Sequence, residues 1–158
     1  MATDHTNLSE YDKDSLPEAS QLKIGLVVSE WNSEITDNLY KAAHTTLLDC
    51  GVWDKNIFKM DVPGSFELIM GSKRMMQEHK PDAVIAIGSV IQGETRHFEY
   101  VCQAVTEGIK DLNVQSDTPV IFCVLTDDTL QQAKDRSGGK HGNKGVEAAV
   151  AAIRMATL

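Results

Sequence analysis

The segment Gly93-Glu94-Thr95-Arg96-His97 combines three features that chemistry on an anion needs. A glycine lets the backbone come close to a bound group. A turn that opens a helix leaves N–H groups without intrahelical partners, and the helix dipole adds positive potential there. A histidine in the first turn can take up a proton and return it. The positive helix end disfavours an imidazolium at that point. The same residues also fit a plain turn with Thr95 as its cap. The chain has five histidines. His97 is the one beside this turn; His5 falls in an N-terminal arm, and His44, His79 and His141 fall on other helices or loops.

Two further segments carry unusual residues. Ser29-Glu30-Trp31-Asn32 follows a buried apolar run, where Trp31 could stack on a planar heterocycle or pack over a sheet edge. Pro63-Gly64-Ser65-Phe66-Glu67 places another aromatic and a carboxylate at a helix start, and a helix start favours a carboxylate whether or not it binds anything. A fourth segment, Lys134 to Lys144, is basic and glycine-rich in an otherwise acidic chain. Its Arg136 could clamp a phosphate with two parallel hydrogen bonds. The motif GxxxxGK[ST] is absent, and the same composition suits a solvated linker.

These residues need a frame. Ile24–Ser29, Ile57–Val62, 83–88 and 119–125 are short apolar runs of the kind strands buried on both faces show. Between and after them lie helical patterns. The first starts near Asn32 or Ser33 and ends near Gly51. The second opens at Ser65 and runs to Glu78, and the third spans Thr95 to Leu112. The fourth is a short helix capped by Thr126-Asp127-Asp128 and ending near Lys134, and the last is an Ala-rich helix from Asn143 to Met155. Ser89 to Gly93 reads as a loop. Fourfold alternation predicts an α/β three-layer α/β/α sandwich of flavodoxin-like type, with a four-stranded parallel sheet. Residues 1–21 are polar and read as a flexible arm; 22–158 read as a single domain. Ligands of such sheets bind outside the carboxyl ends of the strands, where the first three unusual segments fall together.

Composition narrows the class. A net charge of −8 argues against nucleic acid and anionic membranes, which need basic patches. Three widely spaced cysteines form no disulfide or metal pattern and read as buried small residues of a reducing compartment. The N-terminus lacks the basic and apolar regions of a signal peptide, and no run approaches a transmembrane length. The expected location is the cytoplasm.

The motifs taken together resemble the lumazine synthase family of riboflavin biosynthesis. Carriers of the resemblance are Val28 to Ile35, Val62 to Leu68, Gly88 to Val101, Pro119 to Thr126, and Arg136 to Gly145 with Glu147-Ala148-Ala149. The resemblance spans Ile24 to Leu158 and implies a condensation of 5-amino-6-(D-ribitylamino)uracil with 3,4-dihydroxy-2-butanone 4-phosphate, with no metal and no cofactor. It implies that Trp31, with Asn32 beside it, meets the pyrimidine ring, and that Ser65, Phe66 and Glu67 hold the ribityl chain and ring substituents. Ser89, Val90 and Ile91 would offer backbone contacts, Glu94 and Thr95 the phosphate turn, and His97 the acid–base group. Phe122 and Arg136 would come from an adjacent subunit, with Arg136 gripping the phosphate, Lys144 near the same pocket and Glu147 orienting the histidine.

The resemblance further implies pentamers; the short loop from Arg136 to Asn143 favours an icosahedral shell of them. Trp31 stands where Phe is usual, and Cys123 where Gly is common. The rival expectation is a non-catalytic flavodoxin-like module that binds a ribityl ligand. A receiver domain is disfavoured because the third strand ends in Gly88-Ser89 without an acceptor aspartate.

Overall fold

A computed structural model describes residues 7–158. Residues 1–6, including His5, lie outside the described part. The main sheet is built from β1 (Ile24–Ser29), β2 (Ile57–Val62), β3 (Ala83–Ile91) and β4 (Val120–Asp127), in the order β2-β1-β3-β4 and all parallel. The helices are α1 (Ser33–Asp49), α2 (Leu68–His79), α3 (His97–Gln115), α4 (Leu130–Arg136) and α5 (Lys144–Ala156). Between α4 and α5 a small antiparallel hairpin pairs β5 (Ser137–Gly139) with β6 (Gly142–Asn143).

The apolar runs make strands because both of their faces are covered. On one face Leu26, Val28, Ile85 and Ile87 pack with Ile35 and Leu39 of α1 and with Ala149 and Ile153 of α5. On the other, Val27, Val84 and Ala86 pack with Leu68 and Met75 of α2 and with Val105 and Ile109 of α3. This is the expected three-layer sandwich. Leu39 and Ile85 are completely buried, and truncating such a side chain to alanine costs about 2–5 kcal/mol. Gly145 sets the spacing of α5 on α1: a Cβ there would collide with the Leu39 carbonyl.

Sheet order matters for the site. From β1 the chain goes to β2 on one side and then to β3 on the other. The gap between β1 and β3 is therefore the switch point at which open parallel sheets bind ligands.

Several boundaries differ from the sequence expectation. Ser89, Val90 and Ile91 are not loop; β3 continues through them because β4 extends to Asp127 and pairs Val90 with Thr126 and Ile91 with Asp127. The helix α2 begins at Leu68 and not at Ser65, and α3 at His97 and not at Thr95. The short helix α4 is capped by Thr129, whose hydroxyl accepts from the Gln132 N–H; Thr126 and Asp127 belong to β4. Only Cys123 is fully buried, while Cys50 and Cys102 are half-buried. Burial pushes the Cys123 thiol up to about 12.

The described part of the arm lies along the domain. Leu8 is buried and its N–H donates to the His141 carbonyl at 2.8 Å. The Ser9 hydroxyl accepts from the Asn143 N–H at 3.0 Å. Tyr11 donates to the Asp49 carboxylate at 2.8 Å, and Ala19 is buried against the α1 face. Gly142 makes this possible in two ways: its φ of 82° suits glycine, and a Cβ would sit 2.8 Å from the Ser9 nitrogen.

Candidate active site

A cleft of about 530 Å³ opens over the switch point at the carboxyl edge of the sheet. Four chain segments form it. Trp31 and Asn32 come from the loop after β1, and Gly64 to Glu67 from the turn after β2. Ser89 to Ile91 form the end of β3, and Gly93, Thr95, His97, Phe98 and Val101 come from the start of α3.

The first loop is fixed by backbone bonds to the second. Glu30 N–H donates to the Val62 carbonyl at 2.8 Å, and Trp31 N–H to the Pro63 carbonyl at 3.2 Å. Asn32 takes the left-handed conformation, with φ of 60°, which asparagine tolerates better than most residues. Its side chain does not cap α1. It reaches across the switch point and donates to the Ser89 carbonyl at 2.9 Å. That bond ties the β1 loop to the strand on which the cleft rests. Trp31 is left 71% exposed, so its ring covers no core within the chain and is free to stack.

The second turn presses onto β3 through glycine. A Cβ on Gly88 would sit 2.7 Å from the Ser65 hydroxyl and 2.9 Å from a Leu68 methyl. Ser65 is therefore buried at the cleft floor, while Phe66 and Glu67 stand exposed at its wall. At the third segment, the Thr95 hydroxyl accepts from the His97 N–H at 3.4 Å. His97 is the first residue of a 19-residue helix, and the space around the Gly93 α-carbon is open. The turn at Gly93, the start of α3 and the exposed His97 thus border one cavity.

The structure brings Trp31, Asn32, Ser65, Phe66, Glu67, Ser89, Val90, Ile91, Thr95 and His97 into this cleft. Glu94 is exposed beside it but does not line it. Phe122, Arg136 and Lys144 do not line it either. Phe122 packs from the edge strand β4 into the α2/α3 layer. Arg136 ends α4 and Lys144 begins α5, where the Lys144 ammonium meets Glu147 at 2.6 Å. Helix α5 covers the opposite face of the sheet from α3, so in one chain Glu147 does not adjoin His97.

Arg136 has a partner that the sequence reading took for a helix cap. Asp127, only 6% exposed, places Oδ1 4.0 Å from Arg136 Nη1. Burial pushes the Asp127 carboxyl upward; the nearby guanidinium pulls it back and Asp128 raises it further. Phe98 and Val101 were also missed as cleft residues. Their signal was present, because Val101 lies four positions after His97 and three after Phe98, spacings that share a helix face. Among the described residues, no group of three or more His, Cys, Asp or Glu side chains could hold a metal ion, and no helix is long and apolar enough to cross a membrane.

A flavodoxin-like sandwich with an aromatic-walled cleft at its switch point, and a histidine at the helix end facing it, defines an α/β enzyme acting on small molecules. The family model for 6,7-dimethyl-8-ribityllumazine synthase matches residues 21–158, and the chain belongs to that family. It is 62% identical over 158 residues to 6,7-dimethyl-8-ribityllumazine synthase of Flavobacterium johnsoniae, spanning all of this chain and 83% of the relative. The enzyme of the same name from Christiangramia forsetii is 58% identical over 159 residues, spanning all of this chain and 95% of the relative. That from Porphyromonas gingivalis is 54% identical over 158 residues, spanning all of this chain and 98% of the relative.

Proposed function

We infer that this chain condenses 5-amino-6-(D-ribitylamino)uracil with 3,4-dihydroxy-2-butanone 4-phosphate to give 6,7-dimethyl-8-ribityllumazine, releasing phosphate and water. The observation that carries the reading is the cleft itself. An exposed Trp31 and Phe66 flank one cavity with His97 and the open turn at Gly93, in a chain of this family. The non-catalytic binding module finds no support in the relatives.

In this reading the pyrimidine lies against Trp31 beside Asn32, over the backbone of Ser89, Val90 and Ile91. Ser65, Phe66 and Glu67 receive the ribityl chain and the ring substituents. The substrate amine attacks the ketone carbonyl, and a Schiff base forms with loss of water. His97 moves protons at the substrate carbons while phosphate leaves, and the ribityl-bearing nitrogen then closes the ring on the neighbouring carbonyl carbon with loss of a second water. The amides at Glu94 and Thr95 and the guanidinium of Arg136 stabilise the departing phosphate. Holding two reactive partners together supplies much of the acceleration.

Arg136, Phe122 and Lys144 reach the cleft only if a neighbouring chain presents them. That fits a pentamer, or a shell of pentamers, located in the cytoplasm. Two features support self-association. Helix α3 buries only Val105 and Ile109 of its 19 residues within the chain, and Tyr100 and Val114 on it are exposed. The single domain of residues 22–158 and its arm would then be one repeating unit.

The test incubates purified protein with both substrates and follows lumazine absorbance. Product formation well above the uncatalysed rate is expected. No product above that background overturns the reading. Light scattering of the same sample gives the assembly size; a monomer that turns over would remove the shared site.

A further inference from the structure

Arg136 is already held by a carboxylate before any phosphate arrives. Asp127 is the last residue of β4 and is 6% exposed. Its Oδ1 faces Arg136 Nη1 at 4.0 Å, while its Oδ2 is buried without a hydrogen-bond partner. A buried carboxylate with an unused oxygen is costly, and the neighbouring cation is what offsets that cost. Arg136 is itself half-buried, and its Nη1 also donates to the Gln132 carbonyl at 3.3 Å. The contact to Asp127 is long and involves one nitrogen, so the guanidinium fork is not closed by a bidentate pair.

We propose that Asp127 is the resting counter-ion of Arg136 and that a phosphate group exchanges with it. The proposal rests on the reading of Arg136 as the phosphate grip. Asp127 acts through Arg136, so it is a positioning residue. Two anions compete for one cation in a partly desolvated setting, where charge interactions are stronger than in water. A phosphate therefore gains the guanidinium against the Asp127 charge and binds more weakly than it would to an uncompensated arginine. Product phosphate leaves more readily for the same reason. Arg136 returns to Asp127 in place of being left uncompensated.

The probe is inorganic phosphate, measured as an inhibitor of the assembled enzyme. Asp127→Asn keeps the shape and removes the charge. The inhibition constant for phosphate should fall roughly tenfold, the scale of one removed charge near a partly buried cation. The Michaelis constant for the phosphorylated substrate should fall with it, and that for the pyrimidine substrate should stay put. A merely structural loss would not give this split. Asp127→Glu should restore wild-type inhibition, and Asp127→Ser is the second charge-removing variant should the amide disturb folding. Unchanged or weaker inhibition in both variants overturns the proposal. Arg136→Ala separates the two readings. If it leaves phosphate inhibition intact, the phosphate-grip reading fails and the counter-ion proposal falls with it. If it weakens inhibition but Asp127→Asn does not tighten it, only the counter-ion proposal fails. In the Arg136→Ala background, Asp127→Asn should have no further effect on phosphate.

Discussion

The two ends of the proposed chemistry are built differently. At the His97 end, Gly93 to His97 are exposed, the space around Gly93 is open, and the bonds are local: His97 N–H to the Thr95 hydroxyl, and Glu99 and Tyr100 N–H to the Arg96 carbonyl. At the Arg136 end, the side chain is half-buried, Asp127 stands behind it, and the hairpin that follows is pinned by Leu8 and Ser9 of the arm. The proposed proton carrier stands exposed, and the proposed phosphate grip is half-buried beside a pinned hairpin. A proton can be carried by solvent or by a neighbouring group, so an exposed histidine is tolerable. A dianion must be met by a cation at a fixed place, and that requires a braced frame.

This contrast makes ranked predictions. Arg136→Ala should cause the largest loss, about a thousandfold in kcat/KM, of the order seen when a donor to developing charge is removed. His97→Ala should slow turnover by roughly a hundredfold, the low end for general acid–base groups. Steady-state kinetics on both variants checks the order; equal and small losses would dissolve the distinction between the two ends.

Gly142→Ala attacks the brace without touching a substrate contact. A side chain there is strained at φ of 82° and runs into the arm backbone. The expected cost is about 1–3 kcal/mol of stability, with a higher Michaelis constant for the phosphorylated substrate and an unchanged one for the pyrimidine. A rise in both constants would mean that the hairpin does not act through Arg136.

Asp127 gives a pH signature. Burial raises its folded carboxyl above the unfolded value. Ionising it therefore costs folding free energy at neutral pH, while below the unfolded aspartate value of about 3.9 it is protonated in both states and the penalty disappears. Asp127→Asn should raise Tm at pH 7 and lose that gain as pH falls through this range. A gain that is constant with pH would refute the ionisation argument. The smallest effect belongs to Tyr11→Phe. Its bond to the exposed Asp49 is a surface contact, and turnover and Tm should both stay close to wild type. A clear loss of activity would show that the arm's outer contacts also brace the Arg136 end.

The sequence made the layers legible because both strand faces are apolar and the helices alternate with them. Ile24 to Ser29 and Ala83 to Gly88 could hardly be read otherwise. The cleft was legible because Trp31, Phe66 and His97 sit just after strands in a fold that binds there. What escaped depended on distant partners. Ser89 to Ile91 look like a loop until β4 is known to extend to Asp127. Asn32 resembles a cap and instead bonds to a carbonyl 57 positions away. Asp127 beside Thr126 and Asp128 has the composition of a helix start, and only the fold reveals Arg136 in front of it. The arm's polarity concealed Leu8, because one buried leucine in a polar stretch gives no period to detect.

The docking of that arm has a consequence for how the chain is made. Ser9 meets Asn143 across 134 positions. The arm is synthesised before the sheet, and its landing site after it. Until residues 141–143 exist Leu8 lacks this landing site, and the loop it must close contains the whole sheet. The sheet and its helices can gather first, and the seam over Gly142 closes behind them.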